Sequence, residues 1–256
     1  MTELVALSDE LHWPDVAEPY STALRKAVAY GLTQCEPLGI IATGSILRGE
    51  AGPTSDWDLL LIHAEPRRRR LQRRFDGVPT ELFINSPASL RSFFAEGHRT
   101  LRPSTAHMLT TGFVVLDRDP VVDELMAEAA AWLAKPPEAD EHALVYRRYG
   151  VVDTLDNARD VRTVDPANAR LLLNRAVDDM LTYVFWAQSR RLPRAKAFMA
   201  TLTAMAPETA RLAQRYFASG DLDEALDLAE QLARQTVGET GFFEWSGPWE
   251  PFPNHE

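Results

Sequence analysis

Apolar positions along the first 119 residues fall into two periods. Residues 17–36 repeat every three to four positions, through Ala23, Leu24, Ala27, Val28 and Leu32, and the pattern stops at Pro37. That predicts a helix. Short apolar runs follow: Leu38–Thr43 closing at Gly44, Trp57–His63 between Asp56 and Pro66, and Phe113–Leu116 before Asp117-Arg118-Asp119-Pro120. These read as strands. Arg67–Phe75 and Val78–Asn85 flank Asp76-Gly77, a dipeptide suited to the two positive-φ positions of a type I′ hairpin turn. The expected product is a small mixed sheet.

Beyond Pro120 the strand pattern fades. Residues 121–134, 139–162, 166–190, 194–204, 207–218 and 221–237 have helical periodicity, with Asp140, Asp165 and Asp221 at N-cap positions and Pro166 in a first turn. The fold class expected is α+β: a mixed-sheet domain over 1–119, then an α-helical bundle over 120–256. Lys135-Pro136-Pro137 offers a second place for the boundary. In the last stretch, Gly238 to Glu256, the rings of Phe242, Phe243, Trp245, Trp249 and Phe252 stand among Gly and Pro, as an ordered tail stapled across the bundle.

Composition narrows the class. With 45% hydrophobic and 25% charged residues the chain is globular, and no apolar run approaches a membrane span. One cysteine, Cys35, allows no internal disulfide and no cysteine metal cluster. Met1–Val5 lacks a basic start leading into an apolar core, so no secretory signal and a cytoplasmic location are expected. The net charge of −10 is uneven: 13 basic against 15 acidic residues over 1–119, and 14 against 22 over 120–256. An acidic body disfavours nucleic acid and suits a cationic partner.

The chemistry concentrates in residues 39–59. An apolar strand ends at Gly44-Ser45, where the bare backbone lets a phosphate approach, the hydroxyl can bind it, and a short helix is expected to begin. Asp56 and Asp58 then open the next strand, and residues i and i+2 of a strand share a face. Two adjacent carboxylates repel unless a cation lies between them, and hard oxygen ligands favour Mg²⁺ or Mn²⁺. Glu81, embedded in the apolar run Val78–Ile84, adds a third carboxylate that is costly unless it meets solvent, a cation or a reacting proton.

Gly44-Ser45, ten residues, Asp56-x-Asp58, then Glu81 in a later strand resembles the signature of the DNA polymerase beta-like nucleotidyltransferase superfamily, over about residues 38–85. The helical half after it looks like the small-molecule branch, which includes aminoglycoside and lincosamide nucleotidyltransferases, and that likeness implies a role in antibiotic resistance. The resemblance implies that Gly44 and Ser45 bind the β- and γ-phosphates of a nucleoside triphosphate. It implies that Asp56 and Asp58 hold Mg²⁺, two ions in all, and that Glu81 ligates the second metal or takes the acceptor's proton. ATP is the implied donor and a small hydroxyl-bearing, cationic molecule the implied acceptor. Modification of a protein or a partner toxin, and a nucleotide-binding regulator without catalysis, are the alternatives. No oligomeric state is implied.

Other positions have weaker claims. Arg48 either contacts phosphate or covers the short helix, and Ser55 reads as a turn or strand-start residue. Arg67–Arg70 with Arg73 and Arg74 reads as a solvated strand, with contact to the triphosphate or acceptor as the alternative and a nucleic-acid patch behind it, because only Phe75 is interleaved. In relatives with a helical second domain, a lysine near a helix start reaches the triphosphate; Lys196, after Pro193, fits that place. Asp153, Asp156 and Asp160 share a helix face, and Asp178 and Asp179 interrupt an apolar helix. Asp153, Asp156, Asp178 and Asp179 are the candidates for binding a cationic acceptor, in a cleft between the halves, and one of these carboxylates is the alternative to Glu81 as general base. The Arg102…His107 spacing, broken by Pro103, reads as accidental.

Overall fold

The order β3-β4-β2-β1-β5 in one five-stranded sheet places Trp57–His63 (β2) at its centre. The computed structural model describes residues 10–138 and 140–249, so the Met1–Val5 start and Phe252 lie outside the described residues. A helix α1 (Tyr20–Leu32) leads into β1 (Pro37–Thr43), which pairs antiparallel with β2. β3 (Arg69–Phe75) and β4 (Val78–Asn85) form the hairpin, and β4 lies parallel to β2. β5 (Phe113–Asp117) closes the other edge on β1. At the turn, Asp76 and Gly77 both have positive φ, 49° and 83°, as the dipeptide predicts.

β2 is almost continuously apolar because both of its faces are covered. Trp57, Leu59 and Leu61 pack into a core with Leu24, Ala27 and Val28 of α1. Leu60 and Ile62 pack on the opposite face with Leu90 and Phe94 of α2 (Pro87–Arg99) and Leu109 of α3 (Ser104–Thr111). Asp58 is the one acid set into this strand.

Those two helices were not anticipated. α2 begins on Ser86, whose hydroxyl accepts from the Ser89 amide at 3.3 Å, with Pro87 in the first turn. The Arg102…His107 segment runs into the start of α3.

The boundary also differs from 119/120. The chain divides into compact units 1–136 and 137–256, at the alternative Lys135-Pro136-Pro137 position. The helix α4 (Val121–Ala134) belongs to the first unit because Val122 presses on β1: a Cβ on Gly39 would meet Val122 Cγ2 at 2.4 Å. Glycine makes room for that contact. The charge division shifts accordingly, to 14 basic against 18 acidic residues in the first unit and 13 against 19 in the second. The units are closer in charge than the earlier division suggested.

The second unit is helical: α5 (Glu141–Val161), α6 (Pro166–Ala187), a 3-10 turn (Ala195–Ala197), α7 (Phe198–Met205), α8 (Pro207–Ala218) and α9 (Leu222–Thr236). All three expected caps form. Asp140, Asp165 and Asp221 accept from the amides of His142, Asn168 and Glu224 at 3.0, 3.1 and 2.8 Å. We expect Asp221→Ala to lower stability by about 1 kcal/mol in chemical denaturation, as loss of an N-cap does. Asn at this position should restore most of it; an unchanged midpoint for Asp221→Ala would show that the cap contributes nothing.

Candidate active site

The strand ends assemble the acids. Asp56 immediately precedes β2 and Asp58 is its second residue. The parallel register sets Asp58 beside Glu81 of β4, on one face of the sheet. The consequence is electrostatic. The Asp58 carboxyl is pushed up from 3.8 to about 6, first by burial and then by the charges of Asp56 and Glu81, with Arg70 and Arg48 opposing. Three carboxylates are thus concentrated at one end of the strands, with Asp58 set into the sheet between the other two.

Gly44 lies against this group. Its φ is +121°, and a Cβ there would stand 3.1 Å from the Asp56 carbonyl oxygen and 3.7 Å from Asp58 Oδ2. Both the backbone angle and the space require glycine. The helix expected after Gly44 does not form. Residues 45–49 are successive turns, with Glu50 donating to the Ser45 carbonyl at 2.9 Å and Gly49 at a φ of +71°. Gly49 ends the helical sense before one full turn can propagate. Ser45 Oγ shares a 2.7 Å hydrogen bond with Ser55 Oγ, which accepts from the Gly52 amide at 2.8 Å, so Ser55 clasps the loop. Arg48 donates to the Gly44 carbonyl and to Glu50, each at 2.9 Å.

Glu81 is held from the hairpin. Arg70 Nη2 donates to Oε2 and Gln72 Nε2 to Oε1. The Arg70 guanidinium also lies 4.8 Å from the Phe83 ring centre. The arginine run is therefore only partly a solvated strand. Arg73 stacks on Tyr30, whereas Arg70 faces the acids. Asp56, Glu81, Gln72, Arg74 and Pro79 border a concavity of about 430 Å³. Gln72 is a functional candidate that the sequence reading missed, and so is the pairing of Arg70 with Glu81 rather than with phosphate or acceptor. The signal was present: a two-residue loop at Asp76-Gly77 pairs Phe75 with Val78, and counting back sets Gln72 opposite Glu81.

Among the described residues, no group of three His, Cys, Asp or Glu side chains is arranged to hold a metal ion by itself. With the Glu81 oxygens engaged by Arg70 and Gln72, the donor set that fits a hard divalent cation is Asp56 and Asp58 completed by phosphate oxygens. The raised Asp58 carboxyl, crowded by its neighbours' charge, is what such a cation would relieve.

The remaining candidates belong to the second unit. Lys196 is exposed in the 3-10 turn, and the α-helix that follows begins at Phe198 rather than near Pro193. Asp178 and Asp179 lie on the exposed side of α6, opposite buried Ala176, Val177 and Met180. Asp179 has a raised carboxyl, by desolvation first and then Asp178. Asp153 and Asp156 do come together, with Glu244, Tyr149 and Trp245, around a concavity of about 780 Å³. One wall is the tail: Trp245 stacks edge-on to Tyr146 at 4.7 Å, and the Phe242 amide donates to Asp156 at 3.1 Å. Phe243 packs on the helical core, so Phe243 and Trp245 form the expected staple, whereas Phe242 and Trp249 are exposed and do not.

Residues 28–98, spanning β1 to β4 and most of α2, match the family model described as nucleotidyltransferase domain. The chain carries a nucleotidyltransferase domain. It is an enzyme of that class, and nucleotidyl transfer is its general chemistry. Among solved structures, the domain and the helices after it resemble a nucleotidyltransferase-like protein from Exiguobacterium sibiricum 255-15. That match has a TM-score of 0.52 and 14% identity, over 85% of this chain and 74% of that one. At such identity the likeness concerns the fold: a mixed-sheet nucleotidyltransferase domain followed by helices. No curated protein matches the chain. Among the described residues no helix is long and apolar enough to cross a membrane.

Proposed function

We propose that this enzyme transfers a nucleoside monophosphate, AMP from ATP, to a hydroxyl of a small cationic molecule of the aminoglycoside type. The observation that carries the reading is the register pairing of Asp58 with Glu81, with Gly44 pressed against Asp58. It gathers charge for a cation and leaves bare backbone where a phosphate would lie.

In this reading Gly44 and Ser45 receive the β- and γ-phosphates, with Ser45 exchanging its bond to Ser55 for a phosphate oxygen. Asp56 and Asp58 would hold Mg²⁺, which when bound neutralises charge on the triphosphate. Arg48 steadies the Gly44 carbonyl at the loop's entry. Glu81 accepts the proton as the acceptor oxygen forms its bond to the α-phosphorus. The bond from that phosphorus to the bridging oxygen breaks, and pyrophosphate leaves with the electron pair. Lys196 is proposed as a further phosphate contact. Catalysis here is mainly positioning and electrostatic stabilisation.

A cationic acceptor is supported by the aromatic and acidic concavity of the second unit, where Asp153, Asp156 and Glu244 meet Tyr149 and Trp245. Carboxylates and ring faces together suit an amine. Asp178 and Asp179 remain proposed as outer contacts. Incubation with α-labelled ATP, Mg²⁺ and panels of aminoglycosides and proteins tests the reading. Label on a small molecule supports it, and label on protein moves the enzyme to protein modification. No label with any nucleotide leaves a binding regulator. Asp153→Asn combined with Glu244→Gln should raise the acceptor KM about tenfold while the ATP KM stays unchanged, since each lost charge contact is worth roughly 0.7 kcal/mol. An unaltered acceptor KM would remove this concavity from the acceptor's path.

A further inference from the structure

Glu81 is the most tightly held acid of the cluster, and what holds it lies on a strand that the family's phosphate-and-metal signature does not include. Both of its oxygens are engaged, one by Arg70 and the other by Gln72. Its side chain is 16% exposed, while that of Arg70 is 62% exposed. Burying a carboxylate beside Asp58 is costly unless hydrogen bonds hold it, and a guanidinium with an amide supplies them in a fixed geometry. Arg70 is in turn fixed by the Phe83 ring, its cross-strand partner, at 4.8 Å from the ring centre. On the opposite face of the same strand, Arg69 donates to Gln34 at 3.2 Å, away from the acids.

We infer that Arg70 and Gln72 are positioning residues that orient the Glu81 carboxylate for the transfer step. The inference rests on the reading of Glu81 as a group that acts in transfer. Arg70 contributes through Glu81, not by binding the nucleotide. Its loss leaves the acid free to rotate, and a carboxylate displaced by about 1 Å loses most of its use in a positioned reaction. The cross-strand pair Gln72–Glu81 sets the direction, and the Arg70 fork limits rotation about it.

A double-mutant cycle tests this, with kcat and ATP KM measured from α-labelled MgATP, using kanamycin, and water where kanamycin is unmodified, as the acceptor probe. Arg70→Gln should lower kcat between about tenfold and a hundredfold, the loss typical of a supporting partner, with ATP KM within about twofold of wild type. Gln72→Ala should lose less, and Arg70→Lys should recover part of the rate. In the Glu81→Gln background, Arg70→Gln should cost nothing further. Arg69→Gln removes the same charge from the other face and should leave kcat unchanged; thermal midpoints confirm that each variant is folded. A raised ATP KM at constant kcat for Arg70→Gln would make Arg70 a phosphate ligand and overturn the inference. So would a full additional loss in the Glu81→Gln background, or wild-type turnover in Arg70→Gln. Normal turnover in Glu81→Gln would instead defeat the reading of Glu81, and no turnover by wild type on either probe would defeat both.

Discussion

Asp58→Asn should abolish transfer, by about 1,000-fold or more, and at the same time make the metal-free protein more stable above pH 6. The two effects have one origin. The Asp58 carboxyl titrates near 6 in the fold against 3.8 when unperturbed, so the native state holds its proton more tightly than the unfolded chain does. Stability contributed by this group is greatest below about pH 4. It falls as pH rises from about 4 to 6, because the unfolded chain gives up this proton there while the native protein keeps it, and above 6 the native protein carries a charge that its surroundings disfavour. Asparagine keeps the shape without the charge. With partial exposure allowed for, the gain at pH 7 should be about 2 kcal/mol, seen as a thermal midpoint several degrees higher in EDTA. Below pH 4 the two proteins should melt alike. Mg²⁺ should raise the wild-type midpoint and leave the variant's unmoved, as expected if the cation relieves the same repulsion. A variant that melts at the wild-type temperature in EDTA at pH 7 would show that Asp58 carries no such penalty.

Gly44→Ala should be damaging by a different route. A side chain at a φ of +121° is strained, and its Cβ would stand 3.1 Å from the Asp56 carbonyl oxygen. The strain is worth about 1–3 kcal/mol, read as a lower denaturant midpoint. The crowding would push the strand bearing Asp56 and Asp58 out of register with the phosphate site. kcat/KM should fall on the order of 100-fold, with a raised ATP KM, because displacements near 1 Å are costly in a positioned reaction. Gly52→Ala, where a Cβ has open space, serves as the control. Full activity in Gly44→Ala would show that the triphosphate does not approach this backbone.

Much of this arrangement is written locally. Trp57–His63 is a strand in the sequence to the residue, because an apolar run bounded by Asp56 and Pro66 admits little else. The caps at Asp140, Asp165 and Asp221 are short-range chemistry and form as their residue types dictate. Where the pattern failed, distant contacts decide. α2 buries only Leu90, Phe94 and Gly97, a stripe too thin to read before the sheet is there to receive it. Val121–Ala134 is evidently helical, but which unit claims it depends on Val122 meeting Gly39, far along the chain. The turns over 45–49 follow from Gly49, whose positive φ stops a helix that Ser45–Arg48 alone would permit. The acids Asp56, Asp58 and Glu81 are plain in the sequence. Their partners Arg70 and Gln72 are hidden in a run of like charges, where only strand register tells one arginine from the next.

That register makes the length of one turn a chemical parameter. Asp76-Gly77 is pinned from outside by Lys26, whose Nζ meets Asp76 Oδ1 at 2.6 Å. A single residue inserted or lost there would slide β3 by one step against β4, and a one-step slide sends every side chain to the opposite face. Leu71 would then occupy the neighbourhood of Glu81, and Arg70 and Gln72 would turn towards α1. Loss of a residue at an exposed tip, touching no acid and no glycine of the phosphate loop, would set Arg69 in the place of Arg70 but replace the Gln72 amide at Glu81 by a leucine side chain. Natural relatives that tolerate varied loops elsewhere should keep two residues at this tip, or else carry their glutamine one place along.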